Sequence, residues 1–247
     1  QIDSVVSALN EVLNYSLATN IAIGVATNKQ LKVPTSTYAS LNKVWQHSIY
    51  TANFLLKLYE HLPQNKRGND SKSKDLLYLS GLLHDIGYFI FAELFPDKFI
   101  NLSGVFHLDT DISEVNIENS LFNVNHQMLG SWLLRAWRIP EVVINVAEHH
   151  HKENYVGENA LYVNCVHIAD RLLKSKYFNL DRAGGNAAPS KDLEVKFISN
   201  MLDSVGMTNK QLADVFKSFW ENDALKLTDF FTKTLNSDKV YNNSKEK

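Results

Sequence analysis

The sequence predicts an all-α protein, a helical bundle. Only five prolines and ten glycines punctuate 247 residues. The long stretches between them carry apolar residues at helical spacing, with no convincing run of alternating strand positions. Hydrophobic residues make up 45% of the chain and aromatic residues 11%, ample for the core of one large or two small domains.

The elements follow in order. Residues 4–26 place Val5, Val6, Leu9, Val12, Leu13, Ile21, Ala22, Val25 and Ala26 on an amphipathic helix. Residues 29–37, with Pro34, read as a loop. The next helix carries Leu41, Val44, Trp45, Ala52, Leu55, Leu56 and Tyr59 on one stripe and ends at Pro63. His47 falls on a second face with Thr51, Phe54 and Leu58, and a helix apolar on two faces is buried among others. Residues 64–74 are polar and expected at the surface. Residues 76–91 read as one strongly apolar helix, 95–111 as irregular, and 113–122 as a short helix. A further helix starts near His126, capped by Asn123 or Asn125, and runs to Trp137. Pro140 opens the next, which ends in Glu148-His149-His150-His151. Residues 160–174 are helical again. Gly184, Gly185 and Pro189 mark 181–190 as a loop. Two or three helices follow over 191–235, one opened by the capping box Thr208 to Gln211, and residues 236–247 read as a frayed tail. Residues 1–180 are expected to form one domain, with the later helices packed on it.

Composition excludes several classes. The formal net charge is −2 and the pI near 6.5, so nothing suggests bulk capture of nucleic acid or anionic lipid. No apolar run approaches the roughly 18–20 residues that span a bilayer. The single cysteine, Cys165, lies in an apolar run and is expected to be a buried small hydrophobe. These features fit a cytoplasmic location.

Against this background His47, the pair His84-Asp85, His126, the doublet His149-His150 and Asp170 recur in or beside apolar helices. Imidazole and carboxylate together suit Zn, Fe and Mn. Asp85 could bridge two ions with its two oxygens while His84 ligates one. Consecutive helical residues point about 100° apart, so both address one site only if the helix edge faces a cavity. Asp170 sits in an apolar helix and needs a partner there. It could equally cap a neighbouring helix or pair with Arg171, and any one of these histidines alone could be an ordinary hydrogen-bonded residue. His61, His107 and His151 are assigned to that ordinary class.

The segments Trp45-Gln46-His47-Ser48, Gly81-Leu82-Leu83-His84-Asp85-Ile86-Gly87, Asn125-His126-Gln127-Met128-Leu129-Gly130, Trp137-Arg138-Ile139-Pro140-Glu141, Glu148-His149-His150 and His167-Ile168-Ala169-Asp170 resemble the HD superfamily of metal-dependent phosphohydrolases. They are most similar to its HDOD branch, the HD-related output domain of bacterial signalling proteins. The resemblance covers residues 2–175. Residues 2–26 resemble the middle helices of that domain, so its usual N-terminal helices are expected to be missing and the chain to be a piece of a longer protein.

The resemblance implies an HD-domain-like bundle whose metal ligands are His47, His84, Asp85, His126, His149, His150 and Asp170, with none replaced. It implies two divalent ions, Fe, Mn or Zn rather than Mg. Two such ions ~3.5–4 Å apart activate a water and clamp a phosphoryl oxygen, with His84 and Asp85 as the catalytic pair. The chain also departs from the catalytic pattern. Phosphodiesterases of the superfamily that cleave cyclic di-GMP usually carry Lys where this chain has Tyr88, and a phenol brings no positive charge to a phosphate. Their GYP loop is replaced by His151-Lys152-Glu153-Asn154-Tyr155. Lys152, Arg135, Arg138 and Arg171 are the remaining cations considered for a phosphate.

Three functions stand. The first is a signal-transduction output domain acting through protein contacts. The second is a phosphohydrolase acting on a nucleotide or cyclic nucleotide. The third is a metal-free scaffold with a relic site. The expected partner is a signalling protein or a phosphorylated small molecule, with no nucleic acid and no membrane. Trp132 and Trp137 are expected in the core, with partner docking as the second reading, and Phe89, Phe91 and Phe95 in the core or as pocket walls.

Overall fold

A computed structural model describes residues 35–67, 71–103, 114–174 and 201–229. Among these residues there are helices and turns and no strand. The expected helix at 4–26, the loop at 181–190, the tail and His107 lie outside the described residues.

Helix α1 (Thr35–His61) is the central element. It is followed by α2 (Ser71–Leu83), α3 (Gly87–Leu94), α4 (Pro96–Ser103), α5 (Glu114–Phe122), α6 (His126–Ala136), α7 (Glu141–His149), α8 (Ala160–Lys174) and α9 (Asn209–Phe219). Residues 201–205 are also helical, and after α9 the chain continues through a π-turn at Trp220–Ala224. No helix among the described residues is long and apolar enough to cross a membrane.

Two apolar clusters explain the order. Phe54, Leu55 and Leu58 of α1, with Leu62 just after it, pack with Val163, Val166 and Ile168 of α8, with Met201, Leu202 and Val205, and with Leu212, Val215 and Phe216 of α9. Leu41, Val44, Trp45 and Ile49 pack with Leu82 and Leu83 of α2, Phe89 and Phe91 of α3, Leu134 of α6 and Val143 and Ile144 of α7. Helix α1 thus buries both faces, as its doubly apolar pattern requires. Each fully buried Leu or Phe removes enough surface from water to contribute about 1.5–3 kcal/mol, so these clusters fix the helices against which a polar site can be held.

The apolar stretch 76–91 differs from the expectation. It is two helices broken by a turn at residues 84–86. Gly87 shows why the break occurs here. A Cβ at that position would lie 2.0 Å from the His126 carbonyl oxygen and 2.9 Å from the Gly130 nitrogen. The chain turns so that the start of α3 meets the start of α6 backbone to backbone. Gly81, one turn before the break, also sits close to α1, where its Cβ would lie 3.0 Å from the Ala52 Cα.

Other differences are smaller. Residues 96–103, expected to be irregular, form α4, which Pro96 can open because its missing N–H costs nothing at a helix start. Asn125, not Asn123, caps α6 by accepting from the Met128 N–H, while Asn123 takes a positive φ of 57°. The capping box at Thr208 and Gln211 forms with both of its bonds. Trp132 and Trp137 are not in the core. They are 55% and 44% exposed, because Leu129, Gly130 and Leu134 take the inward face of α6. Phe89 and Phe91 are buried, whereas Phe95 is partly exposed.

Candidate metal centre

The break after α2 removes the obstacle that a continuous helix posed for His84 and Asp85. Both side chains now leave a turn and point into a space bounded by α1, α5, α6, α7 and α8. His84, Asp85, His126, His150 and Asp170 are all buried. Their donor atoms form two groups of four, each with every atom within 4.8 Å of the others: His47, His84, Asp85, Asp170 and Asp85, His126, His150, His151. Asp85 belongs to both.

The carboxylate of Asp85 is divided between the groups. Its Oδ2 lies 3.1 Å from His84 Nε2. Its Oδ1 lies 3.5 Å from His126 Nε2 and 3.4 Å from His150 Nε2. In the first group His47 Nε2 meets Asp170 Oδ1 at 2.8 Å, and His84 Nε2 lies 3.5 Å from the same oxygen. In the second, His126 Nε2 lies 3.3 Å from His150 Nε2 and 3.1 Å from His151 Nε2. Adjacent ligands at bond lengths of about 2.0–2.2 Å from one ion stand roughly 3.0–3.5 Å apart, which is the spacing found.

The imidazoles are oriented from behind. His84 Nδ1 donates to the Gly81 carbonyl at 2.8 Å. His150 Nδ1 donates to the Val146 and Ala147 carbonyls at 3.2 and 3.1 Å. His126 Nδ1 donates to the Glu118 carboxylate, 2.7 Å from Oε2. With each Nδ1 occupied by an acceptor, each Nε2 is directed inward. The Nε2 atoms therefore face one another and carboxylate oxygens. His84 Nε2, Asp85 Oδ1 and Asp170 Oδ2 are buried with no well-formed hydrogen bond. Buried polar atoms converging in this way are costly unless a proton or a metal cation joins them. The donors present fit divalent ions, and nitrogen with carboxylate suits Zn, Fe or Mn.

The same groups set one another's charge. Burial opposes ionisation of Asp85 and Asp170, yet His84 and Lys174 beside the first, and Lys174 and His47 beside the second, hold both well below the usual carboxylate range. Burial favours the neutral His84 ring, but Asp85 and Asp170 outweigh it and raise the group to about 10. Burial pushes His150 down to about 4. Burial and the adjacent His150 ring hold His151 well below its ordinary value. His150 and His151 are thus neutral rings, the form that ligates.

Most of the expected ligands meet, with one exchange. His149 is outside both groups; it still belongs to α7, and its ring stacks on Tyr155 at 4.9 Å. The chain leaves the helix one residue later, so His151 enters the second group in its place. In a run of three histidines, sequence alone does not fix which two face inward.

Three further residues, Lys174, Glu114 and Glu118, went unrecognised. Lys174 Nζ lies 3.2 Å from Asp170 Oδ1, 3.6 Å from Asp85 Oδ2 and 3.1 Å from Glu114 Oε2. It stands one turn after Asp170, a spacing that could have revealed it. Glu114 and Glu118 come from α5, and only the tertiary fold brings them here. Tyr88, in place of the expected lysine, is buried, stacks on His126 at 4.3 Å and donates to Glu118 at 2.8 Å. Of the other cations considered, Arg135 bonds Glu141 and Glu148 at the surface, and Lys152 lies over the Tyr155 ring.

Known proteins agree with this architecture. The HDOD domain profile matches residues 1–153. A protein of Treponema pallidum (strain Nichols), described as uncharacterized, is 28% identical over 139 residues, which is 56% of this chain and 25% of that protein. A crystal structure of an HDOD domain protein of unknown function from Geobacter sulfurreducens superimposes with a TM-score of 0.56 at 22% identity, covering 83% of this chain and 65% of that one. A signal-transduction candidate from Marinobacter aquaeolei VT8 gives a TM-score of 0.56 at 17% identity over 88% of this chain and 54% of that one. The chain therefore spans a quarter of the Treponema relative's length and less than two thirds of either solved chain. At these identities the solved structures speak for the fold, and the profile match covers more than half of the chain: the protein belongs to the HDOD domain family.

Proposed function

We propose that this chain is an HDOD-type signal-transduction output domain built around a binuclear metal centre. The observation that carries the reading is the division of Asp85 between two buried donor groups that draw on α1, α6, α8 and the turns after α2 and α7. A cation pair would tie together five separate parts of the chain, so its binding would be coupled to their packing. In this reading residues 1–180 form the domain, and the helices over 191–235 belong to it, supported by the core that α9 shares with α1 and α8. Its partner would be a signalling protein, contacted in the cytoplasm. The exposed Trp132 and Trp137 are apolar surface compatible with such contact.

A second reading, a metal-dependent phosphohydrolase, is favoured by Lys174. Its side chain, about a quarter exposed, sets the ammonium beside Asp85 and Asp170, and His47 and His151 are also partly exposed. Lys174 thus supplies the positive charge that Tyr88 lacks. Bound ions would add Lewis acidity at the shared Asp85 edge. The chain's own groups would do the rest: Asp85 holds the two donor groups together, His84 keeps its Nε2 directed inward, and Lys174 attracts a phosphoryl group.

One experiment addresses both readings. Protein purified without chelator is assayed for bound Fe, Mn and Zn, then for turnover of bis(p-nitrophenyl) phosphate and cyclic dinucleotides with added Mn or Fe. Metal without turnover supports the output domain. Turnover abolished by His84→Ala in a folded protein supports the hydrolase. A chain that takes up none of these ions contradicts both.

A further inference from the structure

Three buried imidazoles present Nε2 to the centre, but only one of them is backed by a charge. His84 and His150 donate to backbone carbonyls. His126 donates to Glu118, a carboxylate with no exposed surface. Glu118 Oε2 also accepts the His126 backbone N–H at 2.8 Å, and Oε1 accepts the Tyr88 hydroxyl at 2.8 Å. These bonds to Glu118 come from an imidazole, an amide and a phenol. None of these donors is a lysine or arginine. A buried carboxylate so placed is stabilised by positive charge nearby, and the His126 ring links it to the second donor group.

We propose that Glu118 is a positioning residue that acts through His126 to set metal affinity at the Asp85, His126, His150 and His151 group, with Tyr88 holding the carboxylate in place. This rests on the metal-centre reading above. The geometry supplies three effects. The acceptor at Nδ1 allows only the tautomer whose Nε2 lone pair faces the centre. The negative charge behind the ring makes that nitrogen a stronger donor. The bond from the backbone N–H fixes the first residue of α6, so the ring cannot withdraw. Carboxylates that back a ligating histidine in this way typically contribute 10–100-fold to metal affinity. Tyr88 acquires a role here that the missing lysine does not explain: its hydroxyl donates to Oε1 of Glu118, and its ring covers one face of His126.

The test is zinc binding to the whole chain, followed by competition with a chromophoric chelator. Wild-type protein is expected to bind two zinc ions. Glu118→Gln keeps the shape and an acceptor oxygen but removes the charge. It should weaken one site about 10–100-fold and leave the other within about twofold. Tyr88→Phe, which preserves the stacked ring, should weaken the same site a few-fold. A loss below about fivefold in Glu118→Gln, or an equal loss at both sites, overturns the role of Glu118 while leaving the metal centre standing. Wild-type protein that binds no zinc overturns both. Should Glu118→Gln fail to fold by circular dichroism, the Tyr88→Phe titration and the imidazole 15N spectrum of zinc-loaded wild-type protein decide. A His126 ring protonated at Nδ1 and bound through Nε2 is expected, and the opposite arrangement refutes the proposal.

Discussion

Replacing Gly87 by alanine tests how the fold builds the centre. The added Cβ would lie 2.0 Å from the His126 carbonyl oxygen, 2.7 Å from the carbonyl carbon and 2.9 Å from the Gly130 nitrogen. All three are backbone atoms, so no side-chain rotation relieves the contact. Ordinary carbon contacts begin near about 3.5 Å, so α6 must retreat from α3 by more than an ångström. Overpacking of this kind costs about 1–3 kcal/mol or more. Alanine returns at most about 1 kcal/mol through helix propensity, and less at a first helical position. The clash wins, for a net loss of about 2 kcal/mol or more and a fall in Tm of roughly 4–8 °C. Because His126 begins α6, the same retreat draws its ring away from Asp85. Denaturant unfolding and zinc titration of Gly87→Ala should therefore show lower stability together with selective weakening of the His126 group. A variant with wild-type Tm and two wild-type zinc affinities would refute this account of the α3–α6 contact.

Three other predictions follow from the same geometry. In metal analysis, Asp85→Asn should lose both ions, His47→Ala and His151→Ala should each lose one, and His149→Ala neither, since only Asp85 is shared and His149 faces Tyr155. Metal uptake at pH 7 should release about one proton from His84, because metal and proton compete for Nε2 and that group is raised to about 10; affinity should climb with pH towards that value. His150, lowered to about 4, should release none, and calorimetry in buffers of different ionisation enthalpy would contradict this by finding no protons released at all. Trp132→Ser should change unfolding free energy by no more than about 0.5 kcal/mol, against about 3–5 kcal/mol for Phe54→Ala; equal losses in denaturant unfolding would contradict the exposed placement of Trp132.

The helical class and most elements were legible because apolar periodicity and capping chemistry are local. The Thr208 capping box and the doubly buried α1 needed nothing beyond their own residues. The break at residues 84–86 was hidden because the apolar pattern runs through it; the cause is the approach of α6 to Gly87, a contact across 39 positions of sequence. The candidate ligands could be named from residue type and order, apart from the register of the histidine run. Glu118 carried no signal in the sequence, since its importance comes from burial beside His126. The tryptophans were misplaced for the reverse reason: large apolar residues are usually covered, and only the packing of α6 reveals which face is already filled.

The central claim is that Asp85 joins two cation sites. Crystals of protein loaded with zinc, measured above and below the zinc absorption edge, test it most directly. Two anomalous peaks are expected about 3.5–4 Å apart, one beside His47, His84 and Asp170 and the other beside His126, His150 and His151, with Asp85 between them. Fully loaded protein with no peak in this pocket, or with a single ion that leaves Asp85 uncoordinated, would contradict it.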